Sequence, residues 1–325
     1  MAKHLFDRRV LLVTGKGGVG KTTIAVGLAI AARNRGLNVL LVQLGRADNV
    51  GPIFNKVIPT YKETQVESGL SVMIVEPYLA LHEYLVKSLK VRMVVDWFLE
   101  NRVIQYLTQA APGWRELITI GKIWQLEQMT VGYQNKPKYD LIVVDAPATG
   151  HGISFLRVPS IILNTLKFGP VRQHTMAVQK LLLDSSRTLL LGVTLPEEMP
   201  VNEVVEIVQA AKKTLHIPYG ATIVNAFTPP LADKKTRALI EKLRKNKTAM
   251  AALSKAVPGG TEPLLAALKA RDARSEMSQT YLAETKKRIG GVILTVPHFP
   301  EMEHDRESME QIAAVFDGQI ERGRR

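Results

Sequence analysis

"VLLVTGKGGVGKTTIAVGLAIAARNRGLNVLLVQL", residues 10–44, decides how the rest of the chain is read. An apolar run ends in a glycine-rich turn, a stretch of helical composition follows as far as Gly36, and "NVLLVQL" (38–44) closes the segment. Uninterrupted aliphatic runs of this length fit strands buried on both faces, and a glycine after a helical stretch is a stop signal. Strand, loop, helix and strand make a βαβ unit. Within it Gly15, Gly20, Lys21 and Thr22 fall on the spacing G-x-x-x-x-G-K-[ST]. A loop of this kind, running through Gly15, Lys16, Gly17, Gly18, Val19 and Gly20, can turn successive backbone N–H groups towards a polyphosphate at the start of the helix. Lys21 then faces the β/γ phosphates, and the hydroxyl pair Thr22–Thr23 follows, with Thr22 placed to hold Mg²⁺. ATP and Mg²⁺ are the ligands this pattern asks for. A glycine loop alone is often only a turn, but here strand, glycines, lysine and helix coincide.

Working outward, "GLSVMIVEP" (69–77), "YDLIVVDAP" (139–147), "TLLLGVT" (188–194), "GATIVNAF" (220–227) and "GVILTV" (291–296) read as further strands. Helices are expected over 152–167, 174–184, 201–215, in two or three pieces over 232–289, and over 305–322. The stretch 78–135, rich in Leu, Met, Val and Trp at helical spacings, reads as a helical insertion. Strands alternating with helices predict an α/β fold with a doubly wound, mostly parallel sheet. The whole chain, 1–325, is expected to be one P-loop domain, with a helical subdomain formed by about 78–135 and 160–187.

Of the 325 residues, 46% are hydrophobic and 22% charged, an ordinary globular balance. The chain has no cysteine, so disulfides, thiolate metal sites and cysteine redox chemistry are excluded. No signal-peptide pattern opens it and no apolar run reaches bilayer length, which together lead to the expectation of a cytoplasmic protein. The net charge of +13 invites a polyanion hypothesis. Yet "KKTRALIEKLRKNK" (234–247) and the final "ERGRR" carry much of the excess, and no aromatics are interleaved with those cations. A solvated helix face is the plainer reading, and nucleic acid is not expected.

Lys16, a second lysine at the front of the loop, has no obvious task within its own loop, where backbone amides already line the phosphate side. "GKGGVGKT" resembles the deviant phosphate loop of the ATPase group that includes MinD, ParA, the nitrogenase iron protein and the arsenite-pump ATPases. The resemblance implies that Lys16 reaches across a dimer to the partner's nucleotide and stabilises charge in the transition state, as an arginine finger does. The plain alternative is a solvent-facing loop charge.

The stretch "YDLIVVDAPATGHGISFLRVP" (139–159) looks like the switch II of the arsenite-pump and GET-pathway tail-anchored-protein-targeting ATPases, D-T-A-P-T-G-H-T-L-R-F-L. Asp145, Thr149, Gly150, His151, Phe155 and Leu156 match it, while Pro147–Ala148 invert the family order. By this resemblance Asp145 holds a Mg²⁺-bound water, Thr149, Gly150 and His151 belong to switch II, and Asn225 in "IVNAF" (223–227) reads adenine. Similarly, "TVPHFPEM" (295–302) resembles the adenine loop and nominates Pro297, His298 and Phe299 as nucleotide neighbours.

The pattern breaks at switch I. Against the family's D-P-A-H-N-L-S-D-A-F, "VLLVQLGRADNVGPIF" (39–54) aligns without gaps, but the leading aspartate falls on Gly45 and the second on Pro52. A carboxylate that assists water attack is typically worth ~10²–10⁴ in rate. Three readings follow: a weak ATPase, a slow subunit paired with an intact paralogue, or a chemistry rebuilt around Asp48. The expected enzyme is an ATPase with catalytic Lys16 and Lys21 and with Asp48 as a stand-in, working as a homodimer or a heterodimer with a paralogue on an unknown client protein. Without thiolates, neither an arsenite site nor a zinc-clasped dimer is expected. Two alternatives stay open: a non-hydrolysing nucleotide-binding scaffold, and a membrane-surface binder using the basic helix and the last helix. On that last helix Ile312, Val315, Phe316 and Ile320 share one face, which equally describes packing on its own sheet. Met73, Met93, Met129 and Met176, with Trp97, Trp114 and Trp124, could line a client groove in the helical insertion but read more simply as core.

Overall fold

The structure, a computed structural model, describes residues 5–89, 113–146, 152–257, 260–300 and 303–322. Its centre is the expected βαβ unit. β1 (Val10–Gly15) runs into the glycine loop, α1 (Lys21–Asn34) follows, and β2 (Val39–Leu44) returns parallel to β1 one strand away. The missing strand between them is β7 (Leu141–Asp145), which pairs with both. Around these the chain adds β3 (Thr64–Glu67), β4 (Leu70–Val75), β8 (Thr188–Thr194), β9 (Tyr219–Phe227) and β10 (Ile293–Pro297). The sheet order is β10-β9-β8-β1-β7-β2-β4-β3, parallel throughout except for β3 against β4.

The central strands β1, β2 and β7 are buried along their whole length because both faces are covered. Val10, Leu12, Leu40, Val42, Ile142 and Val144 point to one face, and Leu11, Val13, Leu41, Val143, Leu191 and Val193 to the other. On the second face lies α1, whose residues Ile24–Ala32 are all buried, and across it α10 (Arg306–Arg322). Met309, Ile312, Phe316 and Ile320 of α10 are at most 1% exposed. The two helices approach closely at Gly27, where an added methyl would sit 2.5 Å from Ile312 Cγ2. The apolar face of the last helix is therefore consumed by the core, where each such side chain contributes about 1.5–3 kcal/mol. It is not free to lie on a membrane.

The first face is covered by α2 (Pro77–Leu89), α3 (Trp114–Glu127), α4 (Gly152–Thr165), α5 (Pro170–Leu183) and α6 (Glu198–Ala210). The described parts of the segment expected to be a helical insertion thus contribute α2 and α3 to this covering layer. The segment is not wholly helical: Thr130–Val131 (β5) and Lys136–Pro137 (β6) pair as a small antiparallel hairpin. Met73 is core, and Trp114 and Trp124 pack against it, whereas Met129 and Met176 are exposed; Met93 and Trp97 lie outside the described residues. At the lower end of the sheet the Glu127 carboxylate, 5% exposed, meets Arg187 at 2.6 Å and Arg9 at 3.6 Å, tying α3 to the starts of β1 and β8.

The remaining helices, α7 (Lys234–Lys245), α8 (Lys247–Ala256) and α9 (Thr261–Ile289), follow β9. Asp233 caps α7 by accepting from the Thr236 amide, and Asn246 caps α8 by accepting from the Ala249 amide. No residue of α8 is buried, and the described side chains of α7 are largely exposed, as a solvated basic face requires.

Candidate nucleotide site

β1 lies between β7 and β8, where the strand order reverses direction. Ligands of open α/β sheets bind at the carboxyl ends of strands at such a point. The glycine loop leaves β1 there, and among the described residues the backbone N–H groups of Gly17 to Lys21 have no protein acceptor. Together with the first turn of α1 they form a ready anion cradle.

The loop is held in shape from inside and outside. From inside, Lys21 Nζ donates to the Lys16 carbonyl oxygen at 2.8 Å. Burial pushes the Lys21 ammonium pKa down, opposed by the nearby Asp145 and Glu203 carboxylates. From outside, Asn225 Nδ2 at the end of β9 donates to the Val19 carbonyl oxygen at 2.9 Å. Gly20 is required at this contact: its φ is +85°, and a Cβ there would lie 2.3 Å from Asn225 Nδ2. The next residue, Ala226, has φ +52°, and the β9–β10 register shifts beside it. Such irregularities re-aim neighbouring side chains, and here Asn225 faces the loop.

Thr22 Oγ1 donates to Asp145 Oδ2 at 2.6 Å, joining the first turn of α1 to the end of β7. The Asp145 side chain is buried, which pushes its carboxyl pKa up; the Thr22 hydroxyl and the Lys21 ammonium oppose that. Two hard oxygens side by side beneath an anion cradle suit Mg²⁺, which takes one or two protein oxygens and completes its shell with phosphate and water. Among the described residues no group of three His, Cys, Asp or Glu converges on one position.

Lys16 is half-buried, and its Nζ pairs with Glu203 Oε1 of α6 at 3.2 Å. Gly45, just after β2, has φ +131° with open space where a Cβ would go. Asp48 is held by its own loop. Its Oδ1 accepts from the amides of Gly51 at 2.7 Å and Val50 at 3.3 Å, and its Oδ2 from Ile58 at 2.8 Å. These bonds close the loop after β2 upon itself, and the carboxylate expected as a stand-in is engaged in that turn. Gln43 braces the same loop, donating to the Ala47 carbonyl and accepting from the Asn49 amide.

Pro297, His298 and Phe299 lie one strand beyond Asn225, where the His298 amide donates to the Phe227 carbonyl at 2.9 Å and Phe299 packs against the core. Thr149, Gly150 and His151 lie outside the described residues. Glu203 escaped the sequence reading, because nothing in "PVNEVVE" marks one glutamate of an amphipathic helix as the neighbour of a loop nearly 190 residues earlier.

Fold and loop together define an α/β protein of the P-loop NTPase class. The family model described as "Anion-transporting ATPase" matches residues 8–181, more than half of the chain, and the chain belongs to that family. ATPase BagA of Mycobacterium tuberculosis (strain ATCC 25618 / H37Rv) is 34% identical over 227 residues, covering 68% of this chain and 66% of that protein. An ATPase get3 of Neurospora crassa is 29% identical over 219 residues, 66% of this chain and 60% of that one. An arsenical pump-driving ATPase of Escherichia coli is 29% identical over 163 residues, 49% of this chain and 27% of that protein. The match to each thus spans less than two thirds of the relative's length. No helix among the described residues is long and apolar enough to cross a membrane.

Proposed function

We propose that the chain is a Mg²⁺-dependent ATPase acting as a nucleotide-driven switch in a two-subunit assembly. The observation that carries this reading is the braced loop: Lys21 folded onto the Lys16 carbonyl, and Thr22 against Asp145, at the carboxyl end of β1. ATP phosphates entering the cradle replace the Lys16 carbonyl as the partner of Lys21, and the free N–H groups of Gly17–Lys21 bind the bridging and terminal oxygens. Mg²⁺, when bound, neutralises phosphate charge beside the Thr22 hydroxyl and Asp145 carboxylate. Asn225 holds the loop and, at the mouth of β9, borders the space for the base, with Pro297–Phe299 further out. Lys16 is the transition-state cation, delivered to the nucleotide of a second subunit, either another copy or a paralogue. Hydrolysis in this chain is slow, because Gly45 brings no carboxylate to the attacking water and Asp48 is engaged elsewhere. The ADP and ATP states then differ in how the subunits pair, and an unidentified client protein responds to that difference.

Neither arsenite nor zinc enters this reading, since the chain has no cysteine. A second reading, a scaffold that holds ATP without turning it over, is favoured by the same loop after β2. Single-turnover ATP hydrolysis separates the two, measured for wild type and Lys16→Ala with assembly mass recorded alongside. For the switch, Lys16→Ala should lower turnover ~10³-fold while changing nucleotide affinity only a few-fold. An equal rate in both proteins would defeat the trans-acting lysine, and no phosphate release under any pairing would leave the scaffold.

A further inference from the structure

The Lys16–Glu203 pair is a contact of the loop that the function above does not use. Resting on the reading in which Lys16 serves a partner's nucleotide, we propose that Glu203 is its in-chain counter-ion. It parks the Lys16 ammonium on α6 of the same subunit until a paired subunit's triphosphate takes it up.

Three observations carry the inference. Lys16 Nζ and Glu203 Oε1 are 3.2 Å apart, so the cation is already engaged when the chain is alone. Both side chains are about one-third exposed (34% each), so the pair can exchange without opening the core. Glu203 also acts on the Lys21 ammonium, which places one carboxylate within electrostatic reach of both lysines beside the anion cradle. In that position it substitutes weakly for the charge that phosphate supplies. When ATP arrives, the carboxylate faces a polyanion and the balance tips: Glu203 is repelled, and Lys16 is drawn to whichever triphosphate it can reach. A half-exposed pair is weak, which suits a contact that must be surrendered at each pairing. Its strength then sets how far hydrolysis depends on the second subunit.

The test uses the full chain as wild type, Glu203→Gln, Glu203→Asp and Lys16→Ala. Competitive acylation of lysines, read peptide by peptide by mass spectrometry without nucleotide, reports whether Lys16 is held. We expect Lys16 to react about 3- to 5-fold faster in Glu203→Gln, in keeping with a pair of this exposure, with wild-type behaviour largely restored in Glu203→Asp. Raised ionic strength should reproduce the effect in wild type and add little in Glu203→Gln. ATP turnover against protein concentration should reach its half-maximum at a few-fold lower concentration in Glu203→Gln, with the plateau nearly unchanged. Equal Lys16 labelling in wild type and Glu203→Gln overturns the counter-ion role while leaving the trans-acting lysine intact. Faster labelling together with undiminished turnover in Lys16→Ala overturns the underlying reading instead.

Discussion

Two loops leave neighbouring parts of the sheet at its carboxyl edge, and they are built to opposite ends. The loop after β1 keeps its amides outward: Lys21 and Asn225 grip its carbonyls, and Gly17 to Lys21 offer N–H groups with no protein acceptor among the described residues. The loop after β2 is turned inward, with three of its amides closed on the Asp48 carboxylate and Gln43 bracing it from the strand end. One is prepared for an anionic guest, and the other stabilises itself. In the reading proposed above, binding belongs to the first loop, and the replacement at Gly45 bears on turnover through the second.

The contrast can be broken at its strongest point by Asp48→Ala. Removing an acceptor of three amide bonds should destabilise the fold by about 2–3 kcal/mol, read as a lowered denaturation midpoint, while the rate per folded molecule changes less than about three-fold. A collapse of turnover in soluble, folded Asp48→Ala would return that carboxylate to the chemistry. Next in size is Gly45→Asp. Its Cβ meets open space, but φ +131° is a conformation that L side chains rarely adopt, so a cost of about 1–3 kcal/mol is expected. Restoring the family's aspartate therefore requires the loop to be rebuilt, and the single replacement should raise turnover far less than the ~10²–10⁴ a well-placed carboxylate gives. Both quantities come from paired melting and steady-state assays.

On the binding side, Asn225→Ala should cost about 1 kcal/mol in stability and weaken ATP binding several-fold by loosening the loop, which calorimetric titration with ATP would register. Comparable in size is Asp145→Asn. The Asp145 carboxyl pKa is raised on folding, so the fold favours its protonated form. That contribution is present below the unfolded pKa and is lost as pH rises through the folded one, so near neutrality the ionised group is a net cost. Asp145→Asn should accordingly raise apo stability by about 0.5–2 kcal/mol at pH 7.5. The gain should shrink as pH falls into the carboxylate range, and Mg²⁺ should no longer strengthen nucleotide binding. A gain that does not depend on pH would refute the burial account of Asp145.

The central βαβ unit was legible because its signal is local: aliphatic runs, a glycine loop and a helix stop within thirty-odd residues. Asp145 was legible for the same reason, as a carboxylate at the end of an apolar strand. The last helix was read as core from its spacing, and Ile312, Phe316 and Ile320 lie there. What the sequence hid is short or distant. "TQVE" (64–67) has too little alternation to announce β3, and a hairpin of two residues a side, 130–131 with 136–137, has none. The trap around Asp48 depends on a loop meeting itself ten residues on, and the Glu203 contact on two elements that only the folded sheet brings together. In the stretch after β4, the helices over 77–89 and 114–127 follow the expected periodicity, but that pattern could not say that they would cover the sheet.

One packing arrangement described above reaches into the birth of the protein. α1, whose first turn carries the phosphate loop, is roofed by α10, the last helix described, through Ile312 and Phe316. A ribosome must therefore deliver residues 306–320 before the earliest helix of the chain can be sheltered. A chain cut before residue 306 would carry the phosphate-loop motif on a helix with one apolar side left uncovered.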